Sequence, residues 1–237
     1  FHHYVRMPFL YRSNPIIGSP REIFPEIGTR FTHHNADKVS KVHFNMQMHN
    51  SFAKTSLTAT HKLSYRKKKD NVEFRIFGGA FLSNTSSNPF YNFRMDGDFG
   101  AFDYTADHVL MDRAGMSSLF GQQFALTEGG FKLPTAVGSS NEWLVAANVK
   151  FDAPGKIPGG LYVDLGASGS TTGLLYNAGY YFKIGSGIFG IYLPMIKADA
   201  IKQEHTTNGL NYGQTIRFTL HLERLHLFNI LDTISLM

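Results

Sequence analysis

The chain has 237 residues, with 23 Lys and Arg against 18 Asp and Glu, no Cys, and 43% hydrophobic residues. These values describe one modest domain and exclude a disordered chain or a small fold held together by disulfides. Only 17% of the residues are charged, against roughly 25% in an ordinary soluble domain. With 14% aromatic residues, the chain must present something other than charge to its surroundings.

Two partner classes can be judged from charge and hydropathy. The chain nowhere offers about 18 consecutive apolar residues, so a helical membrane span is excluded. The net charge of +5 is compatible with nucleic acid, but the basic residues are spread along the chain, and the dense run Lys67–Lys69 falls in a predicted turn. We therefore expect no nucleic-acid partner. The chain opens at Phe1 without Met, which favours a processed protein or a piece of a longer one.

The first 27 residues contain four prolines, which disfavour β-strands. The exception is a short strand predicted over Tyr4 to Tyr11. From Val42 to His49 the sequence alternates, with apolar residues at every second position and His, Asn and Gln between them. The alternation continues after Leu57, and a turn at 67–71 joins it to another alternating run, which predicts a hairpin.

The second half repeats this pattern. Apolar residues from Trp143 to Phe151 share one face, and the same period is found in four later runs. These runs begin at Leu161, Leu174, Ile188 and Ile216. We count about eleven runs, each near the ten residues of a tilted transmembrane β-strand, and the N-terminal strand makes about twelve.

The period changes after the last predicted strand. Apolar residues from Leu225 onward are spaced as on one face of a helix, which predicts an amphipathic helix over 224–237. The predicted organisation is therefore a Pro-containing N-terminal segment over 1–27, a β-barrel over 28–223 and the C-terminal helix.

Two all-β architectures fit the alternation. One is a soluble barrel or sandwich that binds an apolar ligand, with its apolar face inward. The other is an antiparallel transmembrane β-barrel in the bacterial outer membrane, with its apolar face toward lipid. Soluble antiparallel sheets usually present Lys and Glu to water, whereas the polar positions here are largely His, Asn, Gln, Thr, Ser and Gly. This composition favours a hydrated lumen and hence the membrane barrel.

Connection lengths support the same interpretation, because outer-membrane barrels alternate short periplasmic turns with longer external loops. Counting back from the last strand places the connections at 184–187, 152–160 and 67–71 on one side. The three longest predicted connections, at 83–101, 129–141 and 200–211, all fall on the other side. A short connection at Gly169 to Thr172 also falls there and breaks the trend.

The region from Phe120 onward resembles the last strands of the bacterial surface antigen superfamily, which contains outer-membrane assembly factors and two-partner secretion pores. The resemblance is carried by Gly129-Gly130-Phe131, by Glu142 to Lys150, by Tyr162-Val-Asp-Leu-Gly166 and by Gln214 to Thr219. It implies a barrel, a loop at Gly129, Gly130 and Phe131 that folds back into the lumen, and, as an alternative function, an assembly or secretion pore. The family loop reads Arg-Gly-Phe, and here Gly129 stands in place of the Arg.

A narrower likeness is to the C-terminal, barrel-like regions of Bacteroidota surface proteins that also carry an aminopeptidase-N-like metallopeptidase. It is carried by Asp107 to Arg113, Gln122 to Phe124, Thr127 to Phe131 and Ile216 to Leu220. This likeness implies a membrane anchor whose partner is a fused peptidase domain or another envelope protein.

Catalytic and metal signatures are weak. The chain lacks the His-Glu-Xaa-Xaa-His zinc motif, and the adjacent pair His33-His34 would point to opposite faces of a strand. The Gly185–Gly190 run matches a dinucleotide pattern, but a strand follows it where a helix is required. Barrel phospholipases use a Ser–His pair, and the nearest candidates, His49 and Ser51, lack the expected flanking residues. We predict no enzyme activity, no cofactor and no metal.

Four charges are predicted to face inward: Glu73, Arg75, Asp164 and Arg217. Charges in a barrel lumen either pair into a structural network or line a pore, and the sequence leaves both open. The predicted function is a non-enzymatic outer-membrane anchor or narrow pore whose main partner is the lipid bilayer.

Overall fold

The computed structural model describes residues 2–6, 9–10, 13–14, 17–18, 22–35, 37–65, 70–113, 118–154, 158–184 and 187–221. The fold is all-β with little helix. Its strands are β1 (His2–Arg6), β2 (Phe9–Leu10), β3 (Ser13–Asn14), β4 (Ile17–Gly18), β5 (Glu22–Ile23), β6 (Glu26–Asn35), β7 (Lys38–His49), β8 (Phe52–Tyr65), β9 (Asp70–Asn84), β10 (Trp143–Asp152), β11 (Gly159–Ser168), β12 (Leu175–Ile184), β13 (Phe189–Lys197) and β14 (Arg217–Leu220). Its helices are three 3₁₀ turns (Pro89–Tyr91, Gly100–Phe102 and Phe120–Gln122), α1 (Asp199–Thr207) and α2 (Tyr212–Thr215).

One antiparallel sheet dominates the molecule. Strands β6 to β14 pair consecutively as a nine-strand meander, and β1 adds to the edge at β6, so that ten strands share the sheet. The pairs β2–β5 and β3–β4 form two small ladders of their own. Within the described part of the chain the sheet is not closed, since no pairing joins β1 to β14. The closed barrel therefore stays a prediction.

The main sheet has ten described strands where about twelve were predicted, because residues 85–142, here called the internal segment, add no strand to it in their described parts, 85–113 and 118–142. This segment makes isolated bridges at Phe93, Asp98 and Gln123. It lacks period-two alternation, and it bends at residues such as Gly97, whose φ of +72° favours glycine. The two long connections predicted at 83–101 and 129–141 are thus parts of one connection between β9 and β10.

The sheet has a polar face and an apolar face, because side chains alternate along each strand. One row of the polar face runs through successive cross-strand partners, namely Thr32, Lys41, Thr60, Arg75, Asn148, Asp164 and Asn177. The internal segment packs on this polar face, where Phe93, Met95, Phe131 and Leu133 are each at most 2% exposed.

The apolar face is exposed, the reverse of an ordinary soluble sheet. Ile76, Val145, Leu161 and Met195 on four different strands are 62%, 46%, 57% and 72% exposed. Val42 and Phe44 are exposed as well. The core thus lies between the polar face and the internal segment.

Connections at the two ends of the strands differ in length. Residues 85–142 and 198–216 lie at one end, together with the short turns at 50–51 and 169–174. At the other end of the strands, β6 and β7, β8 and β9, β10 and β11, and β12 and β13 are joined by connections of only two to six residues. No helix in the described ranges is long and apolar enough to cross a membrane. The amphipathic helix predicted over 224–237 lies outside the described residues.

Candidate functional site

A polar cluster joins the internal segment to strands β9 to β12, and Asp164 is at its centre. This carboxylate is fully buried. It accepts hydrogen bonds from the Lys132 backbone N–H (3.1 Å), from Asn148 Nδ2 (3.0 Å) and from Asn177 Nδ2 (3.1 Å), and it pairs with the buried Lys132 ammonium. Every oxygen of the carboxylate is therefore satisfied, as a buried charge requires.

Arg75 extends the cluster toward the backbone of the internal segment. Its Nη1 donates to the Glu128 carbonyl (2.7 Å) and to Asn148 Oδ1 (2.9 Å), while Asn148 Nδ2 also donates to the Gly129 carbonyl (3.0 Å). The chain can approach this closely because a Cβ on Gly129 would lie 2.5 Å from the Met95 carbonyl oxygen. Gly130 has a φ of +61°, which glycine adopts without strain.

The predicted site residues are thus distributed over several places. The structure brings Arg75 and Asp164 together through Asn148, and it places Gly129, Gly130 and Phe131 on the polar face, with Phe131 fully buried. Glu73 lies apart from this cluster, paired with Lys150 at 3.1 Å beside a small cavity of about 60 Å³.

Arg217 forms a second buried group with the internal segment. Its guanidinium lies 3.8 Å from Asp96 and over the rings of Phe99 and Phe124, at 4.4 and 5.0 Å. The Asp96 carboxylate also accepts two hydrogen bonds from the Arg94 guanidinium, at 3.0 and 3.1 Å. Burial raises the pKa of Asp96 above its ordinary value against the opposing pull of the two arginines.

Glu128 faces a large cavity next to this cluster. Its carboxylate lies 3.7 Å from Lys54 Nζ and accepts the backbone N–H of Arg94. Burial, reinforced by Asp98, raises the pKa of Glu128 to about 7 in spite of Lys54.

The cavity holds about 1160 Å³ between the internal segment and strands β6 to β9. Its floor is the polar face of the sheet, with Arg30, Lys41 and several Thr hydroxyls. Its wall is the internal segment, with Asp98, Asp103 and Glu128. The polar face is therefore filled over β9 to β14, here called the filled half, and hollow over β6 to β8, here called the open half.

One group in the cavity wall has the donors of a metal site. The ligand atoms of Asp98, Asp103 and His108 lie within 4.8 Å of one another. Asp103, however, already accepts the backbone N–H groups of Asp107 (2.9 Å) and His108 (3.0 Å) and pairs with Arg113 at 2.9 Å. Sequence analysis missed this group because the residues lie in an irregular segment with no ligand spacing to detect.

The His49–Ser51 pair is in contact, with Nδ1 and Oγ 2.8 Å apart. The same Nδ1 also receives the Ser51 backbone N–H at 3.3 Å, and the imidazole stacks on Phe24 at 4.8 Å. The contact therefore braces the two-residue turn between β7 and β8, and the imidazole is half-buried against aromatic rings.

Several residues of the buried cluster were missed by sequence analysis, notably Lys132, Asn148, Asn177 and Glu128. Asn148 and Asn177 occupy polar positions of alternating strands, so their inward direction was predictable but their partners were not. Lys132 follows Phe131 directly, and only the path of the internal segment brings it to Asp164. Neither a family model, nor a curated protein, nor a solved structure matches the chain.

Proposed function

We propose that this chain is a non-enzymatic β-barrel of the bacterial outer membrane, which serves as a membrane anchor or a narrow pore within a larger surface protein or complex. The single observation that carries the proposal is the exposure of the apolar face across the sheet. On β10 that face extends from Trp143 to Phe151, eight residue steps or about 26 Å along the strand. At the tilt of about 40° usual for such strands, this length spans about 20 Å along the membrane normal, most of the roughly 25 Å apolar band of a transmembrane barrel.

Aromatic residues on the apolar face, toward the strand ends that short connections join, also support a membrane location. The ring of Phe151 stacks on Tyr65 at 5.6 Å, and Tyr180 packs against Phe182 at 4.8 Å. Aromatic girdles of this kind lie at the interfaces of outer-membrane barrels, where amphipathic rings meet headgroups. We infer that these rings mark one interface.

The soluble alternative requires Val42, Phe44, Met46 and Met48 to be buried against protein, whereas the first two are exposed and the two methionines are half-buried. A site for an apolar ligand also needs apolar walls, whereas the large cavity is floored by Arg30, Lys41 and Thr side chains. An assembly or secretion pore needs a wide lumen, and the internal segment occupies the polar face over β9 to β14. An anchor or a narrow passage is therefore the preferred function.

A single-cysteine experiment tests this proposal, because the chain has no Cys of its own. Val163→Cys on the apolar face of β11 would carry an environment-sensitive dye in phosphatidylcholine vesicles containing acyl-chain quenchers. We expect blue-shifted, strongly quenched emission there. Two controls should emit as in water, Ser170→Cys in the 169–174 turn and Thr58→Cys on the polar face.

The outcome that overturns the proposal is equally direct. If the dye at Val163→Cys emits like that at Ser170→Cys, or if the protein is monomeric and soluble without detergent, the apolar face does not lie in lipid. Heat-dependent migration on gels provides an independent check of a detergent-stable sheet.

A further inference from the structure

The wall and the floor of the large cavity differ in how their charges are balanced. On the internal segment, Asp98 pairs with His108 (3.6 Å), Asp103 with Arg113 (2.9 Å), and Glu128 with Lys54 (3.7 Å). The acidic wall thus has its cationic partners within the protein.

The floor of the cavity is different. Arg30 on β6 and Lys41 on β7 are both exposed to the cavity, and among the described residues neither has a carboxylate within 4.0 Å. Arg30 lies directly opposite His43, and Lys41 is two residues from His43 on the same face. Because Lys41 is opposite Thr32, it is the diagonal neighbour of Arg30, about 7 to 8 Å away, where two like charges repel each other.

The side chains around these cations are hydrogen-bonding groups. Thr32 is the cross-strand partner of Lys41, which is in turn opposite Thr60, while Thr58 is opposite His43. Each hydroxyl can both donate and accept a hydrogen bond. Glu26 also lines the floor, but it is buried and lies four residues from Arg30 along β6. Around Arg30 and Lys41 the floor therefore combines two strong cations with an array of hydroxyls.

We propose that the cavity over the open half binds an anionic, hydroxyl-rich ligand, namely a phosphorylated sugar, with its phosphate between Arg30 and Lys41 and its hydroxyls on the Thr side chains. An anion between the two cations removes their mutual repulsion and forms charge-assisted hydrogen bonds with both. The cavity volume of about 1160 Å³ exceeds the ordinary range for small-molecule sites, so a mono- or disaccharide phosphate fits together with water. This inference concerns the polar face alone and does not depend on where the apolar face lies.

Calorimetric titration of the full chain tests the proposal, with glucose 6-phosphate as the probe and glucose, glucosamine and inorganic phosphate as comparisons. We expect saturable binding of glucose 6-phosphate that weakens as salt is added, weaker binding of phosphate, and no binding of glucose or glucosamine. Arg30→Gln and Lys41→Gln should each weaken binding at least ten-fold.

Lys38→Gln is the matched control, because Lys38 is on the same strand as Lys41 but on the opposite face, and its affinity should equal that of the unaltered chain. The thermal unfolding midpoint of each variant verifies that the fold is retained. Absence of saturable binding, equal binding of glucose, or equal effects of Lys38→Gln and Lys41→Gln would overturn the proposal. If inorganic phosphate bound as tightly as glucose 6-phosphate, the site would recognise the anion alone, and the proposed sugar ligand would be wrong.

Discussion

The filled and open halves of the polar face belong to one sheet and alternate polar and apolar side chains in the same way, yet only the filled half is packed. Thr32, Lys41 and Thr60 in the open half belong to the same cross-strand row as Asn148 and Asp164 in the filled half. In the filled half Arg75, Asn148 and Asp164 hydrogen-bond to the internal segment, whereas in the open half the row borders a cavity. Alternation thus decides which face is polar, and a non-periodic segment decides whether that face is packed or hollow.

Asp164→Ala should have the largest effect, because it leaves the Lys132 ammonium buried without its counter-charge. We expect a loss of about 3 to 5 kcal/mol in the free energy of unfolding. Denaturant unfolding in a fixed detergent measures this loss, and Asp164→Asn, which keeps the shape and one acceptor oxygen, should lose less. If Asp164→Ala cost under 1 kcal/mol, the filled half would not depend on this cluster.

Gly129→Ala is expected to be next in size. Its Cβ would meet the Met95 backbone oxygen at 2.5 Å and Cα at 2.7 Å, and a backbone cannot move aside as a flexible side chain can. We expect a loss of about 2 to 3 kcal/mol by overpacking, measured as above. Gly173→Ala is the matched control, since its added methyl group would have no atom within 4 Å, and it should be neutral. Equal effects of the two substitutions would refute the close approach.

Glu128 lies at the boundary of the two halves and should make stability depend on pH. Because its pKa in the folded protein is about 7, above the ordinary 4.5, its contribution is full below pH 4.5 and is lost as the pH rises through 7. We expect about 2 kcal/mol less stability at pH 8 than at pH 5 from this group.

Urea unfolding at the two pH values, on the unaltered chain and on Glu128→Gln, isolates that contribution. Glu128→Gln should flatten the pH dependence, while Glu142→Gln, at an exposed position, should leave it unchanged. If the stability of Glu128→Gln depended on pH as strongly as that of the unaltered chain, another group would be responsible for the effect.

The smallest effect is expected in the open half. Thr60→Val replaces a hydroxyl on the same row as Asp164, but one that faces the cavity. Because water already solvates that position, the free energy of unfolding should change by no more than about 0.5 kcal/mol. A loss comparable to that of Asp164→Ala would mean that the open half is packed after all.

The strands were predictable because alternation is a local property. The runs beginning at Trp143 and Leu161 correspond to β10 and β11. The parity of Arg75 in β9 and of Asp164 in β11 predicts that both lie on the polar face. Gly129 and Phe131, where the resemblance implies a loop folded into a lumen, lie against the polar face of the sheet, while the family and its lumen loop stay predictions.

What could not be predicted depends on the internal segment. Its residues show no period, so neither its length of 58 residues nor its contacts can be read from local pattern. Lys132 and Asp164 are 32 positions apart, and Arg75 and Asn148 are 73 apart, so these partners become visible only in three dimensions. The main sheet has ten described strands where about twelve were predicted, because the described part of that segment adds none.

The long connection between β9 and β10 also has a kinetic consequence. Most neighbouring strands of the meander are joined by two to six residues, whereas this one pair is joined by 58. Closing a loop of that length costs about 3 kcal/mol more in chain entropy than closing a two-residue turn. We therefore expect β6 to β9 and β10 to β13 to form as separate meanders. The pairing of β9 with β10 should then form last and limit the folding rate.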